Sequence, residues 1–111
     1  MNQQDELLDF DTYVAVRKAA PKVTGVSFGN AMRVVNYFIE ISKTHLADED
    51  GDGQIYWQES LKEIARGAGI DLKLAGRACR EFGLTMWRKT DGYHVAWSDE
   101  QLGILRKYFQ A

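Results

Sequence analysis

The stretch from Ser60 to Trp97 constrains the fold more than any other part of the chain. A short segment with helical apolar spacing, 61–68, ends at Gly69, and Asp71 then opens a second helical segment. Glycine suits the left-handed residue that ends a helix, and aspartate caps the start of the next one. Two runs rich in β-branched and aromatic residues follow. This order predicts a helix, a tight turn, a second helix and a two-stranded hairpin.

The second helix, predicted over 71–83, has two faces. Its inward stripe is formed by apolar residues spaced by three and four, namely Ala75, Ala78, Cys79 and Phe82. The residues expected to face outward are Leu72, Lys73, Gly76, Arg77 and Arg80. An exposed Leu72 fits contact with a thymine methyl group or with a protein partner. The outward face is therefore basic with one apolar member.

The hairpin is predicted over 85–97, with Asp91-Gly92 as its turn, because a type I′ turn needs positive φ at both central residues. A further strand is predicted at 55–57. The tryptophans at 57, 87 and 97 fall on or beside the three strand segments, and we interpret them as core and strand packing. Three residues with cationic or titratable side chains lie near the hairpin tip: Arg88, Lys89 and His94.

Over residues 30–97 the order of elements resembles that of winged helix-turn-helix DNA-binding domains. The shared spacing, a glycine turn followed by a small residue, an apolar pair and a closing large apolar residue, covers about 60–84. The resemblance implies that helix 71–83 enters the major groove of double-stranded DNA and that hairpin 85–97 acts as a wing. Arginine can bind guanine in a bidentate manner, and both Arg and Lys neutralise phosphate. The predicted DNA-binding residues are Lys73, Gly76, Arg77, Arg80, Arg88, Lys89 and His94.

The net charge of −2 is unevenly distributed along the chain. Residues 1–59 carry 5 Lys/Arg against 10 Asp/Glu, whereas residues 60–89 carry 7 against 3. Residues 90–111 carry 2 against 3. Basic residues are therefore concentrated in the segment whose surface would face DNA.

The rest of the chain adds helices at both ends. Residues 1–27 are predicted as a helical extension (helix 5–20) and linker, 28–97 as the winged helix-turn-helix domain with a long helix at 28–46, and 98–111 as a C-terminal helix. The sequence therefore predicts an α+β, mostly helical fold with a small antiparallel sheet, in one compact domain. The terminal helices either form a homodimer or pack on their own subunit.

The acidic segment 48–59 resembles an EF-hand calcium loop. Calcium takes six to eight oxygen ligands, and Gly53 stands where such a loop turns sharply. The ligands that the resemblance implies are Asp48, Asp50, Asp52, Gln54 and Glu59. Against it, Ser60 and Glu63 form a capping box, which starts the helix after Ser60 and leaves Glu59 outside it. The alternative is a simple turn at 50–53 that leads into the strand at 55–57.

Other site classes lack a sequence signal. There is no Cys/His metal spacing, phosphate-binding glycine loop or nucleophile elbow, so we expect no catalytic residues and no enzyme activity. No apolar run approaches 18 residues, and the single cysteine, Cys79, fits a reducing compartment. We therefore expect a cytoplasmic protein with no membrane segment.

The function that these patterns favour is DNA binding, by a transcriptional regulator or by a replication, plasmid or phage accessory factor. The low net charge and Leu72 favour an alternative, a winged helix that binds protein without nucleic acid. A calcium-binding module built on 48–59 is a further hypothesis.

Overall fold

The computed structural model describes residues 25–109, and the predicted helix 5–20 lies outside the described residues. The four helices are α1 (Phe28–Thr44), α2 (Leu61–Ala68), α3 (Leu72–Glu81) and α4 (Asp99–Phe109). The four strands are β1 (Asp48–Glu49), β2 (Ile55–Ser60), β3 (Thr85–Lys89) and β4 (Gly92–Ser98). Of the described residues 54% are helical, and the strands form one small antiparallel sheet, so the predicted α+β, mostly helical class is confirmed.

Helix α1 is the central helix of the core. It begins after Ser27, whose side-chain oxygen accepts the Asn30 N–H at 3.1 Å. It ends at Thr44, two residues before the predicted end, because His45 is already extended at φ −115° and ψ 147°. Its inward stripe, which is buried, comprises Ala31, Val34, Val35 and Phe38.

The sheet has the order β1-β2-β4-β3, and every neighbouring pair is antiparallel. Its register directs Val95 and Trp97 of β4 into the core, where both are fully buried. The Trp97 ring stacks on Phe38 at 4.2 Å between centroids, and its indole N–H donates to the Ser42 hydroxyl at 3.0 Å. The sheet is thereby fixed on α1. Strand β1 was not predicted, and β2 extends three residues beyond the predicted strand 55–57.

The β3–β4 turn lies one residue earlier than predicted. Lys89 pairs with Gly92, so the two-residue loop is Thr90–Asp91 and not Asp91-Gly92. A shift of one residue would turn every side chain of a strand to the other face. The pairing of Met86 with the buried Val95 therefore fixes the register, and Gly92 takes its positive φ of 117° as a strand residue.

The predicted helix termini are confirmed at three places. Ser60 caps α2 by accepting the Glu63 N–H at 3.1 Å, and Gly69 ends that helix at φ 70°. Ser98 and Gln101 form a reciprocal capping box with two bonds of 3.0 Å. The apolar stripe of α4 is buried within its own chain, because Phe109 packs against Phe28 and Phe82 at centroid distances of 5.1 and 5.7 Å.

Candidate nucleic-acid interface

Helix α3 presents a basic stripe opposite its buried face. Asp71 caps the helix by accepting the Lys73 N–H at 2.6 Å, and Ala75, Ala78 and Cys79 are fully buried. Lys73, Arg77 and Arg80 are spaced by four and three residues and are all exposed, as expected. They therefore lie on one side of the helix. Leu72 is also exposed, as expected, at 50%.

Gly76 does not belong to this stripe, which corrects the prediction that it faces outward. It is buried against α2, and a Cβ added there would lie 3.2 Å from the Leu61 Cδ2 atom. Its small size allows α2 and α3 to approach each other closely. The sequence carried a signal for this position, because Gly76 stands directly after Ala75 and three residues before Cys79, at the border of the apolar stripe.

Arg77 is engaged by two groups that the sequence analysis did not single out. Its Nε lies 3.0 Å from the Glu81 carboxylate, which also accepts the Gly25 N–H at 3.2 and 3.4 Å. A Cβ added at Gly25 would lie 1.8 Å from the Arg77 Nε, so the chain at residue 25 runs directly along this side chain. The spacing of four between Arg77 and Glu81 was the available signal.

The three predicted wing residues are divided between the two faces of the hairpin. Arg88 pairs across the strands with Tyr93, and its guanidinium carbon lies 5.8 Å from the centre of the Tyr93 ring. Because side chains alternate along a strand, Arg88 shares the helix-facing side with Met86. Lys89 points to the opposite side. The basic tip that was predicted as one group is thus two groups.

His94 lies on the side opposite Arg88 and has local partners. Its Nε2 is 3.1 Å from the Asp91 Oδ1, and its ring stacks on Trp87 at 6.0 Å between centroids. The hydrogen bond from His94 is the main cause that lowers the pKa of the Asp91 carboxyl. The His94 side chain is only 16% exposed. His94 therefore stabilises the hairpin turn and does not join Arg88 on the helix-facing side.

Acidic residues gather at the other end of the sheet. Tyr56 pairs with Ser98 at that end, whereas Ser60 pairs with His94 towards the β3–β4 turn. The β1–β2 turn and the start of α4 therefore lie together, far along the strands from the hairpin tip. The carboxylates that they carry are Asp48, Glu49, Asp50, Asp52, Asp99 and Glu100. The hairpin tip carries Arg88 and Lys89 together with one carboxylate, Asp91, so the negative charge of the sheet is concentrated at the end away from the tip.

The segment that resembles a calcium loop forms a β-hairpin turn. The Asp50 Oδ1 accepts the N–H groups of Asp52 and Gln54 at 2.8 and 2.9 Å, so this carboxylate oxygen stabilises the turn. Asp48 pairs with Tyr56 in the sheet, and its Oδ2 accepts from the Gln58 side chain at 3.3 Å. The helix that would follow an EF-hand loop is replaced by β2.

Glu59, the twelfth residue of that segment, faces α1. It lies within β2 opposite Val95, and its carboxylate accepts from the Tyr37 hydroxyl at 3.4 Å and from the Ser60 N–H at 3.0 Å. Burial raises the pKa of Tyr37 to about 12, with the Glu59 charge as the next cause. Between residues 25 and 109, no three His, Cys, Asp or Glu side chains are grouped as a metal site. Calcium binding stays a prediction.

Comparison with known proteins adds no further constraint. No family model, curated protein or solved structure matches the chain. Within the described part of the chain, no helix has the length and apolar character needed to cross a membrane. The surfaces of α3 and of the β3–β4 hairpin therefore remain the features that bear on function.

Proposed function

We propose that the chain binds double-stranded DNA as a winged helix-turn-helix protein, with α3 in the major groove and the β3–β4 hairpin as the wing. The observation that carries the proposal is the exposed stripe of Lys73, Arg77 and Arg80 on the side of α3 opposite the core. A helix presented in this way fits the major groove, and its cations suit guanine edges and phosphates. The biological role that we propose is regulation of transcription, or an accessory role in replication or in a plasmid or phage.

The sheet order supports the same proposal. The hairpin strands β3 and β4 directly follow α3, and β4 pairs with β2, the strand that leads into α2. The hairpin therefore stands beside the helix-turn-helix unit, and Arg88 extends from its helix-facing side. A cation at that place can contact the DNA backbone next to the groove that α3 occupies.

The separation of charge along the sheet explains how a chain with net charge −2 could approach DNA. The acidic β1–β2 turn is directed away from the hairpin tip, so phosphate repulsion is smallest when the basic end approaches first. This separation of charge orients the protein as it approaches DNA. Dissolved salt weakens the effect, because charges are screened beyond about 10 Å at 0.1 M salt.

Titration of a labelled duplex, followed by fluorescence anisotropy at several salt concentrations, tests the proposal. We expect affinity to fall steeply with salt, and K73A/R80A to reduce the slope of log K against log[salt] by up to about 2, since each phosphate contact contributes roughly 0.9. The matched control K43A/K107A removes the same charge from α1 and α4 and should leave the slope unchanged. Absence of salt-sensitive binding, or equal losses in both double variants, would exclude this interface.

A second candidate is a winged helix that binds protein. Leu72 is 50% exposed at the start of α3 and Tyr93 is 45% exposed on the hairpin, and exposed large apolar residues suit a protein contact. Light scattering distinguishes this function from DNA binding. The protein-binding function would be supported if the protein forms an assembly that the Leu72→Asp substitution dissociates and if it does not bind duplex DNA.

A further inference from the structure

An open cavity lies at the acidic end of the sheet, away from the proposed DNA surface. Its volume is about 500 Å³, and its walls come from the β1–β2 turn, from the sheet and from the first turns of α4. The strand register places Tyr56, Thr85 and Ala96 of the lining on one side of the sheet, opposite the side that carries Val95. This volume falls in the range of about 300–1,000 Å³ that is typical of small-molecule sites.

The lining has a definite charge. It contains two carboxylates, Asp50 from the β1–β2 turn and Glu100 from α4, and none of its residues is a Lys, Arg or His. The Asp50 Oδ1 is fixed by two backbone N–H groups, whereas its Oδ2 makes no hydrogen bond within residues 25–109. The cavity therefore presents negative charge from two separate elements, and one of these carboxylates is held in position by the turn.

Apolar and aromatic surface accompanies the carboxylates. Ile104 of α4, Ala96 of β4 and the Tyr56 ring line the same cavity. A metal ion alone would leave this apolar surface without a contact. Among the described residues, no group of three His, Cys, Asp or Glu side chains could hold a metal ion. An organic cation with an apolar body would use both parts, because its charge meets the carboxylates while the body covers apolar surface.

We propose that this cavity is a binding site for a small organic amine, with the ammonium group attracted by the lining carboxylates, Asp50 and Glu100, and an apolar or aromatic body against Ala96 and Ile104. The site is separate from the DNA-binding surface and does not rest on that function. Amine binding and DNA binding are therefore measured independently, and either can fail alone.

Titration of the full chain with tyramine, followed by amide chemical shifts in two-dimensional NMR, tests the site. We expect saturable shifts centred on Tyr56, Thr85, Ala96 and Ile104. The matched anion 4-hydroxyphenylacetate has the same ring and the opposite charge, and it should produce no saturable shift at these amides. Absence of saturation with tyramine up to about 10 mM, a concentration that would detect even a millimolar dissociation constant, overturns the proposal.

Charge-removing variants locate the ammonium group. Asp50→Asn keeps an oxygen that can accept the turn hydrogen bonds, and Glu100→Gln is an exposed change on α4, so both variants should fold. Each is expected to weaken tyramine binding roughly two- to fivefold, as for a partly exposed ion pair. Glu40→Gln removes the same charge from the exposed side of α1 and should leave binding unchanged. Equal weakening in all three variants, or in none of them, would contradict the assignment.

Discussion

The Arg77 Nε lies 3.0 Å from a Glu81 carboxylate oxygen on the surface of α3. The Glu81 side chain is only 15% exposed and also accepts the Gly25 N–H, whereas the Arg77 side chain is 55% exposed. The carboxylate is therefore the more buried partner of the pair, and the guanidinium is the more accessible one. If α3 contacts DNA, the Glu81 carboxylate competes with phosphates and bases for the Arg77 guanidinium, and its own negative charge also opposes binding.

Replacing Glu81 by Gln should therefore tighten DNA binding. The amide oxygen can still accept the Gly25 N–H, while the negative charge next to Arg77 is lost. We expect an affinity gain of roughly two- to tenfold at low salt that shrinks as salt is raised, because screening weakens exposed charge interactions. Anisotropy titrations of the two proteins with one duplex measure the difference.

Glu63→Gln is the matched control for that variant, since Glu63 forms a similar pair with Arg66 on α2. That pair lies outside the proposed interface, so its loss should leave DNA affinity unchanged. A Glu81→Gln protein that binds no more tightly than the Glu63→Gln protein would show that Arg77 is not a DNA contact.

Two helix glycines should respond in opposite directions to alanine. A Cβ at Gly67 would lie 2.0 Å from the Tyr37 Cε1, so the Tyr37 ring would have to leave its place between α1 and α2, whereas a Cβ at Gly103 of α4 meets nothing within 4 Å. We expect Gly67→Ala to lower the free energy of unfolding by about 1–3 kcal/mol. Gly103→Ala should raise it by about 0.5–1 kcal/mol through helix propensity. Chemical denaturation of both variants provides the measurement, and stabilisation by Gly67→Ala would refute the close approach.

Local signals predicted the secondary structure well, and the reason is physical. The bounds of α2 at Leu61–Ala68 follow from the Ser60 cap and the Gly69 turn, which act within a few residues of the chain. The start of α4 follows from a capping box of the same kind. In contrast, β1 consists of only two acidic residues, Asp48 and Glu49, and its existence depends on pairing with β2. Nothing in its own sequence favours a strand.

The candidate site was predicted less completely, because its geometry depends on contacts between elements. Lys73 and Arg80 are exposed, as the helical spacing predicted. Gly76 was misplaced because it stands at the border of the apolar stripe, where the side from which α2 packs on α3 decides whether a residue is buried. His94 was grouped with Arg88 by distance along the chain, but the strand register puts them on opposite sides of the hairpin.

The Cys79 thiol should be unreactive in the folded protein. Burial raises its pKa to about 12, so almost no thiolate exists near neutral pH, and the residue is fully buried. Because the thiolate is the reactive form, a disulfide reagent should modify Cys79 only after unfolding. The reaction rate, followed by absorbance with rising denaturant, should track the unfolding transition. Rapid modification of the native protein would contradict the placement of Cys79 in the core.

Titration of Tyr37 should make the protein less stable in strong alkali. Burial is the main cause that raises its pKa from 10.0 to about 12, and the Glu59 charge adds to the rise. Because the pKa of Tyr37 is higher in the folded protein than in the unfolded chain, protonation of Tyr37 favours folding. This contribution to the free energy of unfolding is complete below about pH 10, where the side chain is protonated in both states. That contribution is lost as the pH rises from 10 towards 12. Tyr37→Phe should therefore show a shallower decline of unfolding free energy over this interval.

The Glu59→Gln variant measures how much of the rise in the pKa of Tyr37 comes from the negative charge of Glu59. The pKa of Tyr37 should fall below that of the parent protein yet stay above 10, because burial of the ring remains. Carbon-13 labelling of the tyrosine rings resolves Tyr37 from the other four tyrosines of the chain. A pKa of Tyr37 near 10 in the parent protein would contradict its burial. A pKa that is the same in the parent protein and in Glu59→Gln would contradict the hydrogen bond between α1 and β2.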